Sequence, residues 1–287
     1  MQAAMARASG ACTPHPQFPA RLARQGIGHL VRQGCPWSVR PSVGLEQRRK
    51  GGNGAGECRA LWQHAAMCGR YAFSSRGVER LVAELRTAAI AVEVVENMAP
   101  SRRAPVAVQR QDRPQVEAMT WGVQPPWKGA PLINARSETA ATKSVFRELF
   151  RRRRCLVPAD AFYEWQASTK PRQPWRFALA QEEPMVIAGL WHHWRSESGE
   201  EAEGFLLLTT QANPTVAPCH DRMPVLLPPD AWRTWLNPDS PGEALQPLLR
   251  PWPGAMTAWP VTTSLNRASY DGPVDRVSPP PSQAELF

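Results

Sequence analysis

Two side chains in this sequence stand out for nucleophilic and acid–base chemistry. Cys68 directly follows Met67, so removal of Met67 would leave a free α-amino group and a thiol on the same residue. Glu164 lies in a strand-like run between aromatic residues. Burial there would raise the pKa of its carboxyl group and suit it to proton transfer. An amine and a thiol on one residue can do chemistry that an internal cysteine cannot.

Two further residues could assist, and each of the four has a plain structural alternative. His220 precedes a charged segment, and Asn134 opens a polar segment after two apolar residues. An internal Cys68 would be an ordinary small core residue, and Glu164 could face solvent from a half-buried strand. A lone His more often makes structural hydrogen bonds, and the segment at Asn134 could be a turn and a helix cap.

The elements that must position these residues can be predicted from periodicity. Residues 68–73 predict a short strand, and Val78, Leu81, Val82 and Leu85 have the spacing of an amphipathic helix. Ser144 is predicted to cap a second helix that ends in the cationic run 151–154, where positive charge suits the helix dipole.

The order of the elements predicts an α+β fold. Strands and helices interleave irregularly, without βαβ spacing or glycine-rich phosphate loops. We predict a disordered or misassigned extension at 1–67, one domain at 68–275 and a flexible tail at 276–287. For the residues before Met67 we favour an upstream extension from a misassigned start codon; the alternative is a disordered or processed leader.

Composition narrows the function classes. The net charge of +9 is concentrated in residues 1–66, which hold nine Lys/Arg and two Asp/Glu; the remainder is near neutral. Any nucleic-acid surface must therefore be local. The six cysteines form no CxxC pair, so we expect no zinc site, no disulfide framework and a cytoplasmic location. No apolar run reaches the ~18 residues of a membrane span.

Five segments occur together in one order along the chain. They are Met67-Cys68-Gly69-Arg70-Tyr71, Trp121-Gly122 with Pro126-Trp127, Asn134-Ala135-Arg136-Ser137-Glu138-Thr139, Arg154 to Asp160 running on to Phe162-Tyr163-Glu164-Trp165, and His220-Asp221-Arg222-Met223-Pro224-Val225. Over residues 68–275 this pattern resembles the SRAP family, the SOS-response-associated peptidases or abasic-site-processing proteins. Two positions depart from the family pattern, Ala161 in place of Gly and Cys219 in place of a branched aliphatic residue.

The resemblance implies a fold and a reaction. It implies a mostly antiparallel, barrel-like β core with flanking helices. It also implies that Cys68, as a mature N-terminus, crosslinks to abasic sites in single-stranded DNA through a thiazolidine. In that chemistry Glu164 would transfer protons, Asn134 would orient Cys68 or the sugar, and His220 would assist the proton transfers.

The resemblance also implies DNA contacts. Arg70, Arg136 and Arg222 would bind phosphates. Trp121 and Trp127 would stack on bases, with core packing as the alternative for both. The run 151–154 would bind phosphates or cap its helix.

Two other functions stay open at this point. A cysteine peptidase or amide hydrolase could cut its own leader, and a non-covalent single-strand-binding module would not need the thiol of Cys68. The resemblance implies single-stranded DNA with abasic sites and proteins of the replication fork as partners, with no membrane. It implies no metal and no organic cofactor, and association with the nucleoid when the protein acts on DNA. We expect a monomer.

Overall fold

The computed structural model describes residues 68–125, 129–195, 199 and 201–278. Within these residues the chain forms twelve strands and five α-helices, in the irregular order expected of an α+β domain. The strands are Arg70–Phe73 (β1), Val95–Met98 (β2), Arg103–Arg110 (β3), Arg113–Trp121 (β4), Asn134–Arg136 (β5), Arg154–Ala159 (β6), Ala161–Gln166 (β7), Gln173–Leu179 (β8), Met185–Arg195 (β9), Glu201–Gln211 (β10), Arg222–Pro224 (β11) and Met256–Pro260 (β12). The helices are Ser75–Leu85 (α1), Ser137–Ala140 (α2), Ser144–Arg152 (α3), Trp232–Leu236 (α4) and Gly242–Leu245 (α5).

Five strands close into a β-barrel. Their order is β10-β4-β3-β6-β9, and β9 pairs with β10 to complete the circle. The long strand β10 makes this closure possible, because different parts of it pair with β9, β4, β5 and β11. Only its pairings with β4 and β5 are parallel among the described strand pairs of the barrel. The predicted barrel-like, mostly antiparallel core is confirmed.

A second sheet packs against the barrel and carries the first described strand. Its order is β12-β8-β7-β1-β2, and all its pairings are antiparallel. Tyr71, Phe162 and Phe177 from this sheet share one buried apolar cluster with Val157 and Ile187 from the barrel. Burial of these large side chains away from water fixes the sheet on the barrel wall. Strand β1 is therefore held on both sides, by β7 and by β2.

The helices cover another part of the barrel. The apolar face of α1, with Val78, Leu81 and Leu85, is buried as its spacing predicts. It joins a second cluster with apolar residues of α3 and α4. The predicted cap at Ser144 is wrong by one residue. Lys143 occupies the cap position, because its carbonyl accepts from the amide of Arg147, and Ser144 is the first helical residue.

The arginine run 151–154 at the end of α3 contains both exposed and buried residues. Arg151 and Arg152 are exposed beside Glu148. Arg154 is 2% exposed, and its guanidinium donates to backbone carbonyls at the ends of α3 and α4. Those carbonyls belong to Phe150, Arg151, Trp235 and Asn237. For Arg154 the helix-capping alternative is thus the one that the structure shows.

Several predictions concern residues outside the described ranges. These residues are the predicted extension 1–67, residues 279–287 of the predicted tail, and the predicted stacking residue Trp127. Within the tail, Arg276 bridges to Val261 and the amide of Val277 donates to the carbonyl of Pro260. The domain limits stay predictions. Among the described residues, no helix has both the length and the apolarity to cross a membrane.

Substituting Arg154 by Met should destabilise the domain by about 2–4 kcal/mol, because buried carbonyls at two helix ends lose their donors. Arg152→Met is the matched control at an exposed position of the same run, and should change stability by less than about 0.5 kcal/mol. Urea unfolding of both variants measures the difference. Equal effects of the two substitutions would contradict the capping role.

Candidate active site

The pairing of β1 with β7 places Glu164 beside Cys68. Arg70 pairs with Tyr163 and Tyr71 with Phe162, so the next residue along β7 lies next to the start of β1. The backbone nitrogen of Cys68 donates to Oε1 of Glu164 at 2.7 Å. Both residues are buried, at 1% and 2% exposure. The solvent-facing alternative for Glu164 therefore does not hold.

Burial changes the protonation of the Glu164 carboxyl. Its pKa is raised to about 8: burial raises it most, the hydrogen bonds to Cys68 lower it, and nearby Asp221 raises it. Desolvation is the largest effect, because a carboxylate in an apolar surrounding loses the water that stabilises its charge. Glu164 is therefore mainly a neutral acid at pH 7, which can donate a proton to a leaving oxygen.

The Cys68 thiol is also kept protonated. Burial raises its pKa well above the usual value, the Glu164 carboxyl raises it further, and Arg222 lowers it. A reactive thiolate normally has a lowered pKa. The contact that this geometry favours is therefore the one between the Cys68 nitrogen and the Glu164 carboxyl, and not a reactive Cys68 thiolate.

Two other predicted residues lie around this pair. Nδ2 of Asn134, on β5, is 3.5 Å from the carbonyl oxygen of Cys68, which is a long hydrogen bond. Nδ1 of His220 accepts from the backbone N–H of Arg222 at 3.0 Å and is 3.0 Å from a carboxylate oxygen of Asp221. Burial lowers the pKa of His220, although Asp221 opposes it. The Arg222 bond requires an unprotonated Nδ1, and the Asp221 contact favours a proton on that same nitrogen.

A cleft of about 650 Å³ opens onto Glu164, His220 and Gly69, the residue after Cys68. Its lining includes Arg70, Glu164, Trp165, Arg172, His220 and Asn266. Trp165 follows Glu164 on β7, and its ring lies 5.6 Å below the Arg70 guanidinium. The cleft thus combines an acid, two cations and an aromatic wall, which suits a sugar-phosphate chain.

The three predicted phosphate-binding arginines have different surroundings. Arg70 lines the cleft and donates to Oδ1 of Asn97 and to the carbonyl of Leu265. Arg136 is exposed at the end of β5 and lines a separate depression together with Asn134. Arg222 is only 7% exposed and donates to both carboxylate oxygens of Glu138. Arg70 and Arg136 can reach a ligand directly, whereas Arg222 is held within the protein.

Trp121 is part of the core. It is fully buried, packs edge to face against Tyr71 and stacks on Phe205. Its Nε1 donates to the carbonyl of Ile133. In this structure its ring has no exposed face for a base, so we do not assign it a DNA contact. Trp127, the other predicted stacking residue, lies outside the described residues.

The sequence predicts no role for three residues of the site. Trp165 and Glu138 lie within the SRAP-like segments, which could have drawn attention to them, but their contacts are with residues far away in the sequence. Arg172 lies in the loop before β8, and nothing in the sequence pattern marks it. In the described part of the chain, no group of three His, Cys, Asp or Glu residues could hold a metal ion.

Glu164→Gln should change the pH dependence of stability. The pKa of Glu164 is raised on folding, so the folded state keeps a proton that the unfolded state releases between about pH 4.5 and about pH 8. The parent should therefore lose stability on the order of 1 kcal/mol per pH unit in this window relative to Glu164→Gln. Urea unfolding at several pH values measures it, with Glu148→Gln as the exposed control. A parent–variant difference that stays constant across the window would refute the buried-acid assignment.

Comparisons with known proteins agree with this architecture. A family model described as SOS response associated peptidase (SRAP) matches residues 67–268. The abasic site processing protein YoqW of Bacillus subtilis is 33% identical over 185 residues, covering 62% of this chain and 83% of that protein. YedK of Escherichia coli, with the same description, is 32% identical over 191 residues, covering 62% and 82%. A crystal structure of a Bacteroides thetaiotaomicron protein shares the fold, with a TM-score of 0.61 and 23% identity over 69% of this chain and 93% of that chain. The chain belongs to the SRAP family.

Proposed function

We propose that this protein processes abasic sites in single-stranded DNA by binding them covalently through Cys68. The relatives YoqW and YedK are both named abasic site processing proteins. The observation that carries the proposal here is the 2.7 Å contact between the Cys68 nitrogen and the Glu164 carboxyl. A buried carboxyl group that contacts the nitrogen of a cysteine can assist a reaction of that nitrogen as an amine. It gives no help in forming a thiolate.

The first step is imine formation. It requires that the bond between Met67 and Cys68 be cut, so that the nitrogen held by Glu164 becomes an α-amino group. An α-amine has a pKa near ~8, so a useful fraction is neutral at pH 7. This amine adds to the aldehyde of the ring-opened abasic sugar. Glu164, as the neutral acid, protonates the carbinolamine oxygen, which leaves as water and gives the imine.

The second step closes a ring. The Cys68 thiol adds to the imine carbon, and the imine nitrogen takes up a proton, so a five-membered thiazolidine forms without loss of atoms. Amine and thiol are on one residue, so closure is intramolecular and benefits from a high effective molarity. Glu164 contacts both groups of Cys68 and can accept the thiol proton. A lysine imine would have no thiol to trap it.

Asn134 and His220 assist in this proposal. Asn134 steadies Cys68 through its carbonyl oxygen. His220, neutral and lining the cleft, exchanges protons with the sugar oxygens, also when the link reverses or the strand is cut by β-elimination. Arg70 and Arg136 bind the phosphates that flank the abasic sugar. The near-neutral charge of the domain suits such a narrow contact.

Amide hydrolysis by a Cys–His pair is the alternative that the family description suggests. Two observations disfavour it. Burial keeps the Cys68 thiol protonated, and Nδ1 of His220 is engaged by the Arg222 backbone. A peptidase of this kind needs a thiolate beside a basic imidazole.

The test is the intact mass of the native protein before and after incubation with an abasic single-stranded oligonucleotide. We expect a mature mass that begins at Cys68 and a heat-stable gain of one oligonucleotide. Cys68→Ala should form no heat-stable adduct, and Cys68→Ser should form only an imine that borohydride traps. Cys155→Ala, which removes a buried thiol elsewhere in the core, should crosslink. A native protein that retains Met67 and never crosslinks would refute the proposal.

The crosslinking rate should depend on pH in a bell shape. The acid limb reports deprotonation of the Cys68 amine near pH ~8. The alkaline limb reports loss of the proton from Glu164, whose pKa burial raises. Glu164→Gln should react on the order of 100-fold more slowly and lose the alkaline limb. Single-turnover kinetics across the pH range measure both. An alkaline limb that persists in Glu164→Gln would assign it to another group.

A further inference from the structure

A second charged pair lies next to the reacting pair. Nη1 of Arg222 donates to Oε1 of Glu138 at 2.6 Å, and Nη2 donates to Oε2 at 2.8 Å. Arg222 is nearly buried, while the Glu138 side chain is 45% exposed. Such bidentate pairs fix the guanidinium plane as well as its position.

The end of β10 brings the two residues together from distant parts of the chain. Strand β5, which α2 follows, pairs in parallel with residues 207–209 of β10. Strand β11 pairs antiparallel with residues 209–211. Glu138 in α2 and Arg222 in β11 therefore meet near Thr209, whose carbonyl also accepts from Nη2 of Arg222 at 2.7 Å. The guanidinium is thereby held on two sides.

Arg222 connects this pair to the reaction. Its backbone N–H holds the His220 ring, and its charge lowers the pKa of the Cys68 thiol and of His220. The other charged groups that act here are Glu164 on the thiol and Asp221 on His220. Glu138 itself is kept ionised mainly by its hydrogen bonds to Arg222.

We propose that Glu138 is a positioning residue of the active site: it holds Arg222, and through Arg222 it orients the His220 ring and places a positive charge beside the Cys68 thiol. The expected effect of Glu138 on the crosslinking rate rests on the proposed function. The pairing with Glu138 gives Arg222 an internal role besides the phosphate contact expected from the sequence. The carboxylate also offsets part of the Arg222 charge.

The two substitutions of Glu138 should act differently. Glu138→Gln keeps one acceptor for Arg222 but removes the negative charge, so the Arg222 charge acts undiminished on His220. Glu138→Ala removes the acceptor as well, so the guanidinium and the attached backbone lose their anchor. Glu148→Gln is the matched control, because Glu148 forms exposed pairs with Arg151 and Arg152 on α3.

The experiment has one arm without DNA and one with it. In the first, NMR titration of the imidazole resonances gives the pKa of His220, assigned by comparison with His220→Gln. In the second, single-turnover crosslinking to an abasic oligonucleotide gives the rate at saturation and the apparent Kd. Both arms use the full mature chain, with thermal unfolding to confirm that each variant is folded.

In Glu138→Gln the titration midpoint of His220 should fall by about half a pH unit, and in Glu148→Gln it should not move. In Glu138→Ala the rate at saturation should fall on the order of 10-fold, with the apparent Kd within about twofold of the parent. Glu138→Gln should retain more of the rate than Glu138→Ala.

Three results would overturn the inference. If the titration midpoint of His220 does not move in Glu138→Gln, Glu138 is not electrostatically coupled to His220. A weaker Kd with an unchanged rate at saturation would make the pair a DNA contact. A lower unfolding temperature with an unchanged His220 midpoint and an unchanged crosslinking rate would mean that the Glu138–Arg222 pair only stabilises the fold. If the parent fails to crosslink while the His220 midpoint still moves as expected, the proposed function fails and the coupling of Glu138 to His220 stands.

Discussion

The contact between the Cys68 nitrogen and the Glu164 carboxyl is the constraint on which this site depends. It joins residues 96 positions apart, and both are almost fully withdrawn from water. A carboxyl group is costly to ionise in such a place, so it remains an acid where an exposed glutamate would be a carboxylate. The same burial keeps the thiol from ionising. The Cys68 nitrogen, its thiol and a proton donor thereby lie together at one buried point.

Strand β10 organises the surroundings of that contact. It closes the barrel through β9 and β4, and its end accepts β5 and β11 on opposite sides. Asn134 and His220 come from the two segments that this strand end brings together. The Glu138–Arg222 pair spans the same place. Strand pairing thus fixes the site, and the loops contribute mainly the walls of the cleft.

Buried arginines are used twice here as internal anchors. Arg154 satisfies carbonyls at the ends of α3 and α4, and Arg222 is held by Glu138 and the Thr209 carbonyl. A buried guanidinium is stable only if its donors find acceptors of fixed geometry. Both residues lie in family motifs; the sequence predicts a phosphate contact for Arg222, and either phosphate binding or helix capping for the run that contains Arg154. The exposed Arg136 and the cleft-lining Arg70 are better placed for that contact.

The sequence by itself determined the kind of fold and indicated the two residues that we propose to react. Apolar spacing predicted α1, and the ordered motifs predicted the barrel, Cys68, Glu164 and the family. Only the tertiary structure decided that Trp121 is core, that Arg222 faces Glu138, and that Arg172 joins the cleft. Periodicity reports which side of an element is buried, because neighbours in sequence share one helix or strand. It does not report the partner across the interface, because strand register and order pair residues that are 84 or 96 positions apart.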